Sequence, residues 1–129
     1  MNKFLIIGSG GAIGSILRYL VVTGVMALIE KHKGPSGFPF GTLAVNIIGC
    51  FVIGFLGGLV EYRHWFSPET RMFLFVGVLG GFTTFSTFGY EALNLAREGA
   101  AAATITYVLS QVGVGILCAW GGHALSRYV

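Results

Sequence analysis

The chemistry in this chain gathers between Gly80 and Phe88, where Gly-Gly-Phe-Thr-Thr-Phe-Ser-Thr-Phe puts two glycines, four hydroxyls and three phenylalanines in nine positions. The segment lies inside an apolar run, and a plain membrane-spanning helix has no use for it. Adjacent glycines loosen a helix, and Thr and Ser hydroxyls can satisfy the backbone groups that a break sets free. A helix interrupted there offers carbonyls at the end of its first half, suited to a cation. It offers N–H groups at the start of its second half, suited to an anion. Phe82, Phe85 and Phe88 recur every third residue, and the electropositive edges of phenyl rings can flank a small anion without trapping it. The competing reading of these rings is a packed aromatic ladder.

Other polar groups stand in apolar surroundings. Asn46 carries two donors and an acceptor; it serves either as interhelical glue or as a pore donor that replaces water around an anion. Arg18 lies roughly 21 Å along a helix from Phe4, deep enough to be costly unless paired or wetted. It either snorkels or ties down a helix end, or it acts as a fixed positive charge drawing anions into a vestibule. Glu91 follows the phenylalanines toward the exit of the apolar run, where it caps the helix or pairs with Arg97 or Arg18, with a proton relay as the lesser reading. Tyr107 and Gln111 are four apart, share a helix face, and can line the same path as Phe85 and Phe88. His123 and Trp120 belong at the far interface. Cys50 and Cys118 fit neither a metal spacing nor a disulfide framework and read as small packing residues.

The elements that must position these groups follow from composition. Of 129 residues, 54% are hydrophobic and 10% charged, against about 25% charged in soluble domains. All five acidic residues are Glu, and the eight Lys and Arg are scattered singly, which excludes a nucleic-acid patch. Four apolar runs, near Phe4–Ile29, Phe38–Val60, Met72–Leu95 and Ala100–Leu125, are each long enough to cross a bilayer core of about 30 Å. The third helix starts earlier, at Pro68, with Ser67 as N-cap and Glu69 in the first turn. Twelve residues from Pro68 to Gly80 give roughly 18 Å of rise, just past the bilayer middle. The expected fold is an all-α membrane protein: one domain over 1–129, with helices near 4–29, 38–60, 68–95 and 100–125 and the third broken mid-membrane. The first run is too long for a cleaved signal and contains Arg18, so it reads as a permanent helix. Pro39 is expected in the first turn of helix two. Gly10 with Gly14, and Gly11 with Ser15, are small pairs four apart that permit close helix approach.

Orientation follows the Lys/Arg bias of short loops, and here the bias is slight. One side holds Lys3, Arg63, Arg71 and Arg127, four in all; the other holds Lys31, Lys33 and Arg97, three in all. The expectation is dual topology, with copies inserted both ways and paired as an antiparallel homodimer. No Ser/His/Asp set, metal cluster or phosphate loop supports catalysis, and the chain does not read as an enzyme.

The chain resembles the Fluc-type fluoride channels, also called the CrcB family, over essentially its whole length. The residues that carry the resemblance are Gly10-Gly11-Ala12-Ile13-Gly14-Ser15-Ile16-Leu17-Arg18-Tyr19, Gly41-Thr42-Leu43-Ala44-Val45-Asn46-Ile47-Ile48-Gly49 and Gly80 to Phe88. The resemblance implies a fluoride-selective channel in the bacterial inner membrane, exporting fluoride passively and so reducing its toxicity in the cytoplasm. It implies an antiparallel homodimer in membrane lipid with two pores, each lined by both copies. It also implies a structural Na⁺ at the dimer centre, held by the backbone carbonyls of Gly80 and Thr83. The pore-facing positions it implies are Phe85, Phe88, Asn46, Thr87 and Tyr107, with Gln111 standing where some members carry a small hydroxyl. Arg18 matches the arginine of helix one. The runner-up readings are a small proton-coupled multidrug exporter, which needs a buried carboxylate in its chamber, and a packing subunit of a larger membrane complex.

Overall fold

The computed structural model describes residues 2–35 and 37–129. It contains four long helices: α1 (Lys3–Lys31), α2 (Phe40–Arg63), α3 (Pro68–Arg97) and α4 (Ala101–Tyr128), each long and apolar enough to cross a membrane. At 24 to 30 residues and 1.5 Å per residue, all four exceed the thickness of a hydrocarbon core. The protein is a multi-pass membrane protein. Its helices run past the apolar stretches because polar residues such as Glu61, Tyr62 and Arg63 keep helical backbone until His64 turns left-handed (φ 52°). Polarity marks where the chain leaves the apolar layer; the backbone turn marks where the helix ends. Asn2 caps α1 by accepting from the Phe4 N–H, and Ser67 caps α3 by accepting from the Thr70 N–H, with Pro68 as the first helical residue. Pro39 is the residue before α2 (φ −82°, ψ 64°) rather than a member of its first turn.

Two helix pairs build the molecule, and glycine decides both. Gly10 and Gly14 of α1 face Gly77 and Val78 of α3, and a Cβ at Gly14 would run into the Val78 carbonyl oxygen. From α3, Gly77 packs on Gly10, and Gly81 on the backbone of Gly11. The expected Gly10/Gly14 pair therefore meets a second pair of the same spacing, Gly77/Gly81, and the two backbones touch. Gly11 lends only its backbone, since a Cβ there would meet open space. Ser15 turns back onto its own helix, donating to the Gly11 carbonyl at 2.7 Å. The second pair joins α2 to the end of α4, where Gly54 meets the Ala119 carbonyl, Gly58 the Ser126 hydroxyl and Gly122 the Phe51 carbonyl. Gly113 and Gly121 face open space.

The helical path of α3 is left at two residues. Thr83 (φ −88°, ψ 160°) and Thr84 (φ −151°, ψ 111°) are extended, and helix resumes at Phe85. Before them, Met72–Leu79 is wound as a π-helix, a wider winding that is rare and concentrates at functional sites. Gly80 itself is helical (φ −63°, ψ −36°), so the double glycine is not where the backbone departs. Gly81 is spent on close packing with α1. Gly49 of α2 crosses α3 at this point, against the Thr83 Cγ2 methyl. Beyond it, Phe88, Leu95 and the fully buried Tyr107 form a small core with Phe38, Leu43, Ala92, Ala103 and Val108.

Much of the helix surface is apolar. Phe4, Ile16, Leu109, Leu117 and Trp120 all lie open. In water such a surface would drive aggregation; in lipid it is the proper exterior, because tails are as apolar as the side chains.

Candidate functional site

The two extended threonines are held by α2. Asn46 donates from Nδ2 to the Thr84 carbonyl at 3.1 Å and accepts the Thr84 N–H on Oδ1 at 2.9 Å. Its side chain thus pairs with both backbone groups of one residue, as a neighbouring strand would. Thr84 in turn caps the second part of α3: its Oγ1 accepts the Thr87 N–H at 3.2 Å and donates to the Thr87 hydroxyl at 2.9 Å.

These bonds decide the fate of two carbonyls. In an unbroken helix the N–H of Thr84 would pair with the Gly80 carbonyl, and that of Thr87 with the Thr83 carbonyl. Both N–H groups are given instead to side chains, of Asn46 and Thr84 respectively. Gly80 and Thr83, the two positions expected to offer carbonyls to a cation, are thereby released from helical pairing. The Thr83 carbonyl accepts from Arg18 Nη1 at 3.3 Å. By donor type, two neutral backbone carbonyls in a low-dielectric place suit a hard monovalent cation.

From Asn46 a continuous side-chain ladder runs along α2, α3 and α4. Asn46 Nδ2 also donates to Gln111 Oε1 at 3.2 Å, and Gln111 Nε2 donates to the Tyr107 hydroxyl at 3.1 Å. Tyr107 donates to Glu91 Oε2 at 2.7 Å, and the Thr42 hydroxyl donates to Glu91 Oε1 at 2.9 Å. Glu91 therefore takes its partners from two hydroxyls, not from Arg18 or Arg97. Among the described residues no buried side-chain polar atom lacks a partner. Spacing explains part of the ladder: Tyr107 and Gln111 share one face of α4, and Thr42 and Asn46 one face of α2.

The ladder connects two cavities. A groove of about 380 Å³ is lined by Asn46, Thr83, Thr84, Phe85, Phe88 and Gln111 together with apolar neighbours that include Cys50 and Phe75. A second cavity of about 320 Å³ is lined by Phe38, Pro39, Glu91, Asn94 and Glu98, among others. The rings of Phe85 and Phe88 meet edge to face with centroids 5.4 Å apart, and Phe88 meets Tyr107 in the same way at 5.5 Å. Yet Phe85 is 82% exposed, while Phe88 is 9% exposed. The every-third spacing of Phe82, Phe85 and Phe88 does not place the three rings on one face, because the extended residues 83 and 84 intervene. Phe82 is buried on the other side of them.

Comparison with known proteins decides the family. Residues 5–123 match the family described as CrcB-like protein, Camphor Resistance (CrcB). The chain is 46% identical to the fluoride-specific ion channel FluC of Rhizobium meliloti, over 98% of both chains. It is 47% identical to the protein of the same name from Agrobacterium fabrum, again over 98% of both. Against the one from Methylobacillus flagellatus it is 42% identical, over 98% of this chain and 96% of the relative.

The chain belongs to the CrcB family.

Within this CrcB chain, the residues singled out from sequence fall into three places. Asn46, Gln111, Tyr107 and Glu91 form the ladder; Phe85, Phe88 and Thr87 stand at or beside the groove; Arg18, Gly80 and Thr83 surround the released carbonyls. Two polar contributors, Thr42 and Thr84, are not marked by residue type alone. Thr42 carries a signal in its spacing, four residues before Asn46. Thr84 carries one in its place, a hydroxyl three residues before the Thr87 N–H that it caps.

Proposed function

We propose that this protein is a fluoride-selective channel, carrying fluoride passively out of the cell across the inner membrane and thereby limiting fluoride toxicity. The observation that carries the reading is the ladder from Asn46 to Glu91, joining two cavities in a chain nearly half identical to proteins named fluoride-specific ion channels. Fluoride holds its water tightly, so a pore must replace the hydration shell with closely spaced donors. Thr87 keeps its O–H and Gln111 one N–H to offer. Asn46 and Tyr107 would offer theirs by exchanging Gln111, Thr84 and Glu91 as partners for the ion, and Phe85 and Phe88 offer electropositive ring edges. Arg18 supplies a fixed positive charge near the groove, and Glu91 orients Tyr107 and Thr42 at the other end. Export needs no pump: hydrogen fluoride enters as a neutral acid, dissociates in the cytoplasm, and the anion leaves down its own gradient.

The working unit in this reading is an antiparallel homodimer of dual-topology copies in membrane lipid, with α3 broken at mid-membrane depth. The openness of Phe85 and of the groove on one side supports this, since a second copy would complete the lining. The carbonyls of Gly80 and Thr83 would hold a structural Na⁺ where the copies meet, and such an ion would fix the two interrupted helices against each other. The exporter reading is not favoured: Glu91, the acid it would need within an apolar run, has both carboxylate oxygens engaged by hydroxyls.

Reconstitution into liposomes tests the function. Fluoride trapped with K⁺ should leave within seconds to minutes of adding valinomycin, and trapped chloride should stay. Fluoride efflux that requires a proton gradient, or no efflux at all, would overturn the channel reading.

A further inference from the structure

The Thr83 carbonyl already has a positive group on it. Arg18 Nη1 donates to it over 3.3 Å, and a guanidinium keeps its charge at any physiological pH. The placement is built in: Gly14, one turn earlier on the same face of α1, sits against the Val78 carbonyl and the Phe82 N–H, which sets Arg18 level with the end of the first part of α3. A carbonyl oxygen has two lone pairs, so Arg18 occupies one and leaves the other. Any cation taking the second shares its oxygen with a fixed positive charge, in surroundings where such repulsion is weakly screened.

The geometry points to Arg18 as the residue that sets how tightly the carbonyls of Gly80 and Thr83 hold a monovalent cation, by opposing it from the same oxygen. This rests on the cation site of the proposed function. Arg18 is here a positioning residue with a cost: it helps hold the extended residues in place while keeping the cation exchangeable. In a homodimer the opposition acts twice, once from each copy. Replacing the guanidinium by a neutral group should therefore tighten the site, whereas a mere fold support would leave cation binding unchanged or weaken it.

The test uses the full chain purified in detergent without Na⁺. NaCl then replaces N-methyl-D-glucamine chloride at constant ionic strength, and the unfolding temperature is followed by the fluorescence of Trp65 and Trp120. The wild type is expected to gain thermal stability specifically with Na⁺. In Arg18→Gln the half-saturating Na⁺ concentration should fall at least about tenfold, and in Arg18→Lys, whose shorter reach draws the charge back, by less. A wild type indifferent to Na⁺ would overturn the cation site and this inference with it. A Na⁺-responsive wild type with an unchanged or higher midpoint in Arg18→Gln would overturn the inference alone. Failure of both variants to assemble at any Na⁺ concentration would also overturn it, by making Arg18 a requirement of the fold and not an opponent of the cation.

Discussion

Asn46 makes three hydrogen bonds, two to the backbone of Thr84 and one to Gln111, so it couples the backbone of α3 to the ladder. Asn46→Ala leaves the Thr84 N–H and C=O and the Gln111 oxygen without this partner. It should cost at least about 3 kcal/mol, at 1–3 kcal/mol for each of the three groups left unpaired, and it should abolish fluoride efflux from liposomes. Tyr107→Phe is the sharper probe, because it removes one oxygen while keeping the ring that packs on Phe88 and Phe38. The expected result is a loss of about 1–3 kcal/mol, read by thermal unfolding, together with slower fluoride efflux. The phenylalanines separate fold from path. Phe85→Ala removes a ring that lies open in the protomer, so it should leave protomer folding intact and slow fluoride flux. Phe88→Ala empties a core position and should cost about 3–5 kcal/mol as well as flux. Equal stability of the two variants would contradict this division. Not all of the site could be read from residue types. Asn46, Tyr107 and Gln111 stand out as polar side chains among apolar ones. Thr42 and Thr84 do not, since a helical Thr commonly bonds its own preceding turn, as Thr23 and Thr104 do here.

At the level of elements, the four apolar runs were legible and the positions of the turns less so. Length and hydrophobicity fix a crossing, but backbone angles at His64 and Gly99 (φ 52° and 73°) end the helices. Gly10 and Gly14 were legible as a packing face because small residues four apart have few other uses in a membrane helix. Which stripe of α3 they meet depends on Gly77 and Gly81, and an adjacent glycine pair at 80 and 81 reads equally as flexibility or as contact. The place where α3 leaves its helix was set by a tertiary partner, Asn46, that no local pattern in α3 announces. Gly49 gives a test of that crossing. A Cβ at Gly49 would collide with the Thr83 Cγ2 methyl, so Gly49→Ala should destabilise the fold by about 1–3 kcal/mol through overpacking. Thr83→Ser removes that methyl while keeping the hydroxyl bond to Leu79. The double variant Gly49→Ala/Thr83→Ser should therefore recover most of the lost stability in thermal unfolding. Additive losses in the double variant would show that the two residues do not meet.

At the scale of the whole molecule, the charge distribution makes its own prediction. Four Lys and Arg on one side against three on the other is a slight bias by the rule that orients membrane helices, and it is what supports the proposed dual topology. If the channel is an antiparallel pair, a population biased to one orientation lacks partners. Lys31→Gln/Lys33→Gln leaves one charge, Arg97, against four; Lys3→Gln/Arg63→Gln/Arg71→Gln leaves one, Arg127, against three. Each set should drive its copies to a single orientation, the first opposite to the second. Expressed alone, each should give several-fold less fluoride efflux than the wild type; expressed together, they should restore it, because each supplies the inverted partner that the other lacks. A cysteine added at the C-terminus and probed with a membrane-impermeant thiol reagent reports orientation directly, with both sides labelled in the wild type and one in each variant. Full flux from one variant expressed alone, with its C-terminus on a single side, would mean that the groove beside Phe85 is completed by a parallel copy or by lipid. The ladder from Asn46 to Glu91 would then be the path of a protomer that does not need its inverse.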